Sequence, residues 1–179
     1  MTAWTLAPEA FDSPDATLLR RDYYADVASS YWQRPATPAE VDEGLAGDNA
    51  PLLTPPTGQF VVGRYAGTPA ACGGVLMLDA ERAELTRVYV RPAFRGHGGG
   101  RLLLGLLEEQ ARLLGASRMV LNTRLDLTRA RALYLRHGYV EIPAYRTGPY
   151  VEVSYGKELD PERRDTRIPG GPVRHQSVR

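Results

Sequence analysis

The chain has 179 residues, 43% hydrophobic and 24% charged, with a formal net charge of +1. These values describe one ordinary globular domain with a substantial core and argue against wholesale disorder, and the near balance of charge gives no electrostatic reason to expect a nucleic acid or an anionic membrane as partner. A single cysteine, Cys72, excludes an intramolecular disulfide, and the scattered His97, His137 and His175 form no metal cluster. Neither a basic, apolar leader nor a membrane-length apolar run is present, so a cytoplasmic protein is expected. Basic residues are 21 arginines and one lysine, Lys157, which reads as a compositional bias.

In chain order, residues 3 to 7 read as a short strand. Asp12-Ser13-Pro14 is a helix start, and Leu18, Leu19, Tyr23, Val27 and Tyr31 recur at helical spacing as far as Trp32. Thr37-Pro38-Ala39-Glu40 carries the capping-box pattern of a second helix to about Ala46, and residues 47 to 58 read as a loop. Gln59 to Arg64, Pro69 to Asp79 and Ala83 to Arg91 follow as strands of an antiparallel meander, with Cys72 as a buried, inert thiol.

A glycine-dense loop from Arg95 to Gly100 then leads directly into a leucine-rich helix. On this helix Leu102, Leu103, Leu106, Leu107, Ala111 and Leu114 mark the core side against Glu108, Glu109 and Arg112, and Gly115 ends it. Arg118 to Thr123 reads as a strand, Leu127 to His137 as a helix, and Tyr139 to Ile142 and Tyr150 to Tyr155 as closing strands. Residues 1–159 form the expected domain. Residues 160–179, with five arginines and three acids, read as a disordered tail and not as a nucleic-acid arm.

The loop carries the chemistry. The first N–H groups of a helix lack intrahelical partners and sit at the positive end of its dipole, so a strand, a glycine turn and a helix make a site for a phosphate. Gly96, Gly98, Gly99 and Gly100 leave room for a pyrophosphate to approach, with Arg95 and Arg101 at the rim. A Walker A loop is excluded because Gly100 and Gly105 are followed by Leu106. A dinucleotide fingerprint fails too, since its third glycine would fall on Arg101 or on Leu103.

What remains is Arg-x-x-Gly-x-Gly, filled by Arg95, Gly98 and Gly100 directly after Val88-Tyr89-Val90. With Glu84-Leu85, Leu121-Asn122-Thr123, the run Ala130, Leu133, Tyr134, Gly138, Tyr139, and the closing Lys157-Glu158-Leu159, the chain from Ala83 to Leu159 resembles the GNAT superfamily of acetyl-CoA-dependent N-acetyltransferases. The resemblance implies an α/β fold with a mixed, mostly antiparallel central sheet flanked by helices, and acetyl-CoA in the cleft where the fourth and fifth strands part. It implies that the backbone of Val88, Tyr89 and Val90 binds the pantetheine arm. The pyrophosphate would lie on Arg95, Gly96, His97, Gly98, Gly99, Gly100 and Arg101.

Acyl transfer to an amine requires a neutral amine, a polarised carbonyl and a proton for the leaving thiolate. By the same resemblance Tyr134 is the acid, and Glu84 is a candidate base beside a water chain. Strict alternation would place Glu84, Thr86, Val88 and Val90 on one face, which a bulge would change. Family members often carry Asn where this chain has Leu127, beside Asp126; Asn122 is the candidate substitute for that contact to the pantetheine. Tyr23, Tyr24, Tyr31, Trp32, Tyr145 and Tyr150 are available to line the acceptor pocket, with Asp22 or Asp26 to attract a cationic amine. The expected function is transfer of acetyl to a primary amine of a small molecule, in a monomer or homodimer without a metal. The alternatives are a protein amine, an aminoglycoside-like antibiotic, or a non-catalytic acyl-CoA-binding module.

Overall fold

The computed structural model describes residues 3–160, so the expected tail beyond Asp160 lies outside the described residues. Strand β1 (Trp4–Pro8) is followed by α1 (Pro14–Trp32) and α2 (Pro38–Ala46). The meander β2 (Gly58–Tyr65), β3 (Thr68–Met77) and β4 (Arg82–Val90) comes next, then α3 (Gly99–Leu113), β5 (Arg118–Thr123), α4 (Thr128–Arg136), β6 (Val140–Ile142) and β7 (Val153–Glu158). The strands form one sheet in the order β1-β2-β3-β4-β5-β7-β6. Its neighbours are antiparallel except β4 and β5, which α3 connects as a crossover. The expected mixed, mostly antiparallel sheet flanked by helices is what forms.

The helix starts follow local chemistry. Ser13 Oγ accepts from Ala16 N at 3.2 Å, and Thr37 and Glu40 cap α2 reciprocally, Thr37 N donating to Glu40 Oε2 at 2.8 Å. Each sheet face then buries one set of alternating side chains. On one face Val61, Ala71, Val75, Ala83, Leu85, Met119 and Leu121 pack with Leu103, Leu104 and Leu107 of α3 and Tyr134 of α4. On the other, Phe60, Val62, Cys72 and Tyr89 pack with Ala16 and Leu19 of α1. Cys72 is fully buried, and burial pushes its thiol far above the ordinary range, as an inert thiol requires.

Three expectations change. Leu104 is buried whereas Leu102 is 40% exposed, so the buried stripe of α3 is rotated from the one read in the sequence. Glu108, placed there on the polar side, is buried, because Lys157 reaches it from β7 at 2.8 Å and His137 Nε2 lies 3.4 Å away. The last strand begins at Val153, not Tyr150, and lies between β5 and β6.

Candidate active site

Strands β4 and β5 pair only at Arg82–Arg118, Ala83–Met119 and Glu84–Val120 and then diverge. Beyond Glu84 the β5-facing edge of β4 is left without a partner strand, and a cleft of about 1050 Å³ opens along it. Arg91 N donates to Ala70 O of β3 at 2.8 Å, so alternation turns the polar backbone groups of Val90 to the opposite side, into the gap. There Val90 O accepts from Arg95 Nε at 2.8 Å.

A bulge sits just before this edge. Cys72 pairs with Tyr89 and Gly74 with Thr86, so Arg87 and Val88 oppose Gly73 alone, and Arg87 adopts φ +53°. The extra residue shifts the parity of the strand. Val88 and Val90 join Leu85 on the α3 face, while Tyr89 faces α1. Glu84 and Thr86 therefore do not share the face of Val88 and Val90, which corrects the strict alternation expected from the sequence.

The loop after β4 turns with φ +80° at both Gly96 and Gly98, a conformation that side chains rarely adopt. Gly99 and Gly100 are glycine for a different reason. A Cβ on Gly99 would stand 2.2 Å from the Trp4 ring, and one on Gly100 2.9 Å from Leu133. Gly96, Gly98, Gly99, Gly100 and Arg101 all line the cleft, with the N-terminus of the 15-residue α3 beneath them. His97 does not line it; its ring packs edge-on against Tyr65 at 5.3 Å. Arg95 is no free rim charge, since it is held between Val90 O and Asp26 Oδ2 at 3.4 Å.

Tyr134 lines the cleft from α4 and is 7% exposed, packed near Tyr139 and Tyr155. Burial pushes its phenol well above the usual 10.0, so it stays protonated and able to donate. Glu84, 5% exposed, has both oxygens engaged: Oε1 accepts from Arg146, and Oε2 accepts from the Tyr145 hydroxyl at 2.7 Å and from Asn122 Nδ2 at 3.4 Å. Asn122 also donates to the Tyr145 oxygen at 2.8 Å and accepts from Ser154 Oγ at 2.7 Å. Asn122 thus lines the cleft with its amide engaged in the Glu84 network.

On the acceptor side Tyr23 and Tyr150 line the cleft, whereas the Tyr24 ring lies against Gly44 of α2, and the exposed Tyr31 packs between Tyr150 and the exposed Trp32. Asp22 pairs with Arg91 at 2.6 Å and Asp26 with Arg95, so neither acid is an uncompensated charge for a cationic amine. Arg87, Arg129, Arg136 and Arg146 line the cleft without having been singled out in the sequence. Arg129 and Arg136 stand seven residues apart on one helix, a signal hidden by the general abundance of arginine.

The acetyltransferase (GNAT) family model matches residues 18–139, well over half of the chain. The protein belongs to the GNAT acetyltransferase family. The chain is 35% identical over 100 residues to an IAA acetyltransferase from Azospirillum brasilense, a match covering 55% of this chain and 63% of that protein's length. Among solved structures, an acetyltransferase from Streptococcus agalactiae aligns with TM-score 0.70 at 20% identity, over 89% of this chain and 100% of the other. A GNAT family acetyltransferase from Elizabethkingia anophelis with acetyl-CoA bound aligns with TM-score 0.61 at 18% identity, over 89% and 100%. At those identities the structural likeness speaks for the shared GNAT fold. Among the described residues no helix is long and apolar enough to cross a membrane, and no group of three metal-ligating side chains is assembled.

Proposed function

We propose that this GNAT protein transfers acetyl from acetyl-CoA to a primary amine of a small molecule. The observation that carries the reading is the unpaired edge of β4, with Val90 facing the gap, running directly into a glycine loop at a helix N-terminus. An elongated, anionic, amide-bearing cofactor matches that surface from end to end. The backbone groups of Val88 and Val90 that face the gap would pair with the pantetheine arm, the N–H groups of Gly98 to Arg101 would hold the pyrophosphate, and the exposed Arg101, Arg129 and Arg136 would add charge. Bound there, acetyl-CoA supplies an acetyl group activated as a thioester.

The remaining work falls to the chain. The N–H of Val90 polarises the carbonyl from a fixed position in the strand, which costs no reorganisation during reaction. Tyr134, held protonated by burial, donates its proton to the departing sulfur. Glu84 lines the cleft, and with its oxygens engaged by Arg146, Tyr145 and Asn122 it accepts the amine proton through an intervening water. A small acceptor is favoured over an aminoglycoside-like one because the acids lining the cleft, Asp26, Glu84 and Asp126, each face an arginine. A polycation would find no net negative wall.

The test is thermal unfolding with and without acetyl-CoA, with ATP and NAD as controls, followed by thiol release with a panel of primary amines. A ligand at a hundred times its dissociation constant stabilises by about 2.7 kcal/mol. A shift with acetyl-CoA alone and amine-dependent thiol release are the expected results. Absence of any shift in a folded, CoA-free sample would overturn the reading.

A further inference from the structure

Beneath the bulge of β4 lies a cluster of charges that the acyl-transfer reading does not use. Arg87 is buried, and its Nη2 donates to Asp48 Oδ1 and to Asn49 Oδ1, while Nη1 donates to Thr86 Oγ1 at 3.0 Å. Asp48, with a side chain only 1% exposed, turns its other oxygen to Arg20 of α1 at 3.1 Å, and Arg20 Nε donates to Phe11 O at 3.1 Å. One carboxylate thus ties α1, the segment after α2, and the single bulged residue of the strand that borders the cleft.

Arg87 is an unusual residue for its place. A bulge with φ +53° is a position that glycine fills without strain, whereas a long cationic side chain there must be desolvated and restrained. The backbone consequence lies three residues on. The parity shift made at Arg87 and Val88 is what turns the groups of Val90 into the gap between β4 and β5.

We propose that Arg87 and Asp48 are positioning residues for the acetyl-CoA site: their buried pair fixes the bulge and thereby the direction of the Val90 amide. The inference rests on the acetyl-CoA reading for its functional consequence but not for its structural content. The guanidinium reaches its partners from two nitrogens, Nη2 to Asp48 and Asn49 and Nη1 to Thr86, a span that the single ammonium nitrogen of a lysine does not reproduce.

Arg87→Gly separates clamp from strain, since glycine tolerates the positive φ while deleting every side-chain contact. Arg87→Lys keeps the charge and loses the fork, and Asp48→Asn keeps the shape and loses the ion pair. Two measurements are made on the full chain: the dissociation constant for acetyl-CoA, and amide hydrogen exchange at Tyr89, whose alternation with Arg91 directs its N–H to β3. For Arg87→Gly we expect a folded protein, acetyl-CoA binding weakened about tenfold or more, and Tyr89 exchange accelerated by a similar factor while Val61 and Leu107 in the core are unchanged. Arg87→Lys should behave nearly as the glycine variant, and Asp48→Asn in between. Wild-type exchange at Tyr89 in Arg87→Gly would overturn the proposal, whether or not the wild type binds acetyl-CoA. A wild type that fails to bind acetyl-CoA, with Tyr89 exchange raised in the variant, would instead remove the cofactor reading and leave the clamp standing.

Discussion

The indole Nε1 of Trp4 donates to the carbonyl of His97 at 2.9 Å, joining the first strand to the glycine loop 93 residues later. The same ring fills the space that a Cβ on Gly99 would occupy, at 2.2 Å. The loop is therefore supported from below by the opening residue of the first strand. Gly99→Ala should cost about 1–3 kcal/mol through overpacking, lowering the midpoint of thermal unfolding and weakening acetyl-CoA binding together. Trp4→Phe loses the hydrogen bond and leaves a void where the outer part of the buried indole lay, so its cost should be about 2–3 kcal/mol; unfolding curves of the two variants check both values.

Tyr134→Phe removes one hydroxyl from a buried ring and leaves its packing against Tyr139 and Tyr155 intact. If the phenol protonates the leaving thiolate, kcat should fall by roughly 10²-fold or more, with the KM for acetyl-CoA little changed. Because burial holds the phenol above its ordinary value, no loss of activity should follow its ionisation below pH 10. Steady-state thiol release across pH reads both points, and an unaltered kcat would remove Tyr134 from the chemistry.

For Glu84→Gln, the amide preserves an oxygen for Tyr145 but no longer offers Arg146 a charge. As proton acceptor, Glu84 should be needed for turnover, so the glutamine variant should lose roughly 10²-fold in kcat while acetyl-CoA binding is little changed. A kcat equal to that of the wild type in steady-state thiol release would assign the carboxylate to seating Tyr145 and Arg146 alone.

Lys157, the chain's one lysine, donates to Glu108 at 2.8 and 3.0 Å and to His137 O at 2.8 Å. Lys157→Met strands a carboxylate that is 6% exposed and should destabilise by up to about 3–5 kcal/mol, toward the lower end because the lysine side chain is 22% exposed. Adding Glu108→Leu should recover much of the loss, since the uncompensated charge is then gone. A denaturant titration of the single and double variants measures the coupling.

Acid weakens one helix cap and one strand turn. Arg34, with Thr37, holds the Glu40 carboxyl down to about 2 from an ordinary 4.5, and Arg82 with the turn amides holds Asp79 down to about 2 from 3.8. A depressed folded-state value stabilises above the unfolded value and is lost as pH falls toward the folded one. Both contributions should be complete above about pH 5 and disappear as pH falls from there to about 2. Glu40→Gln should therefore be less stable than wild type at pH 7 and equal to it near pH 2, which unfolding at the two pH values tests.

Much of the architecture was written locally. Strand alternation in the meander, the serine and threonine caps of α1 and α2, and the strand, glycine turn and helix of the loop depend on neighbours within a few residues, so spacing alone reveals them. The family motif from Arg95 to Gly100 likewise located the cleft. What only the tertiary structure decided involves partners far apart in the chain: Glu84 with Tyr145 and Arg146, Arg87 with Asp48, Glu108 with Lys157, Trp4 with Gly99. The bulge at Arg87 belongs with these, since an arginine carries no local signal for a left-handed residue and the burial of its charge requires a carboxylate 39 residues away. Local pattern specifies which element forms, because propensity and capping act over one or two turns. Which charge is buried, and which way an amide faces, follows from desolvation balanced by contacts that exist only once the sheet has closed.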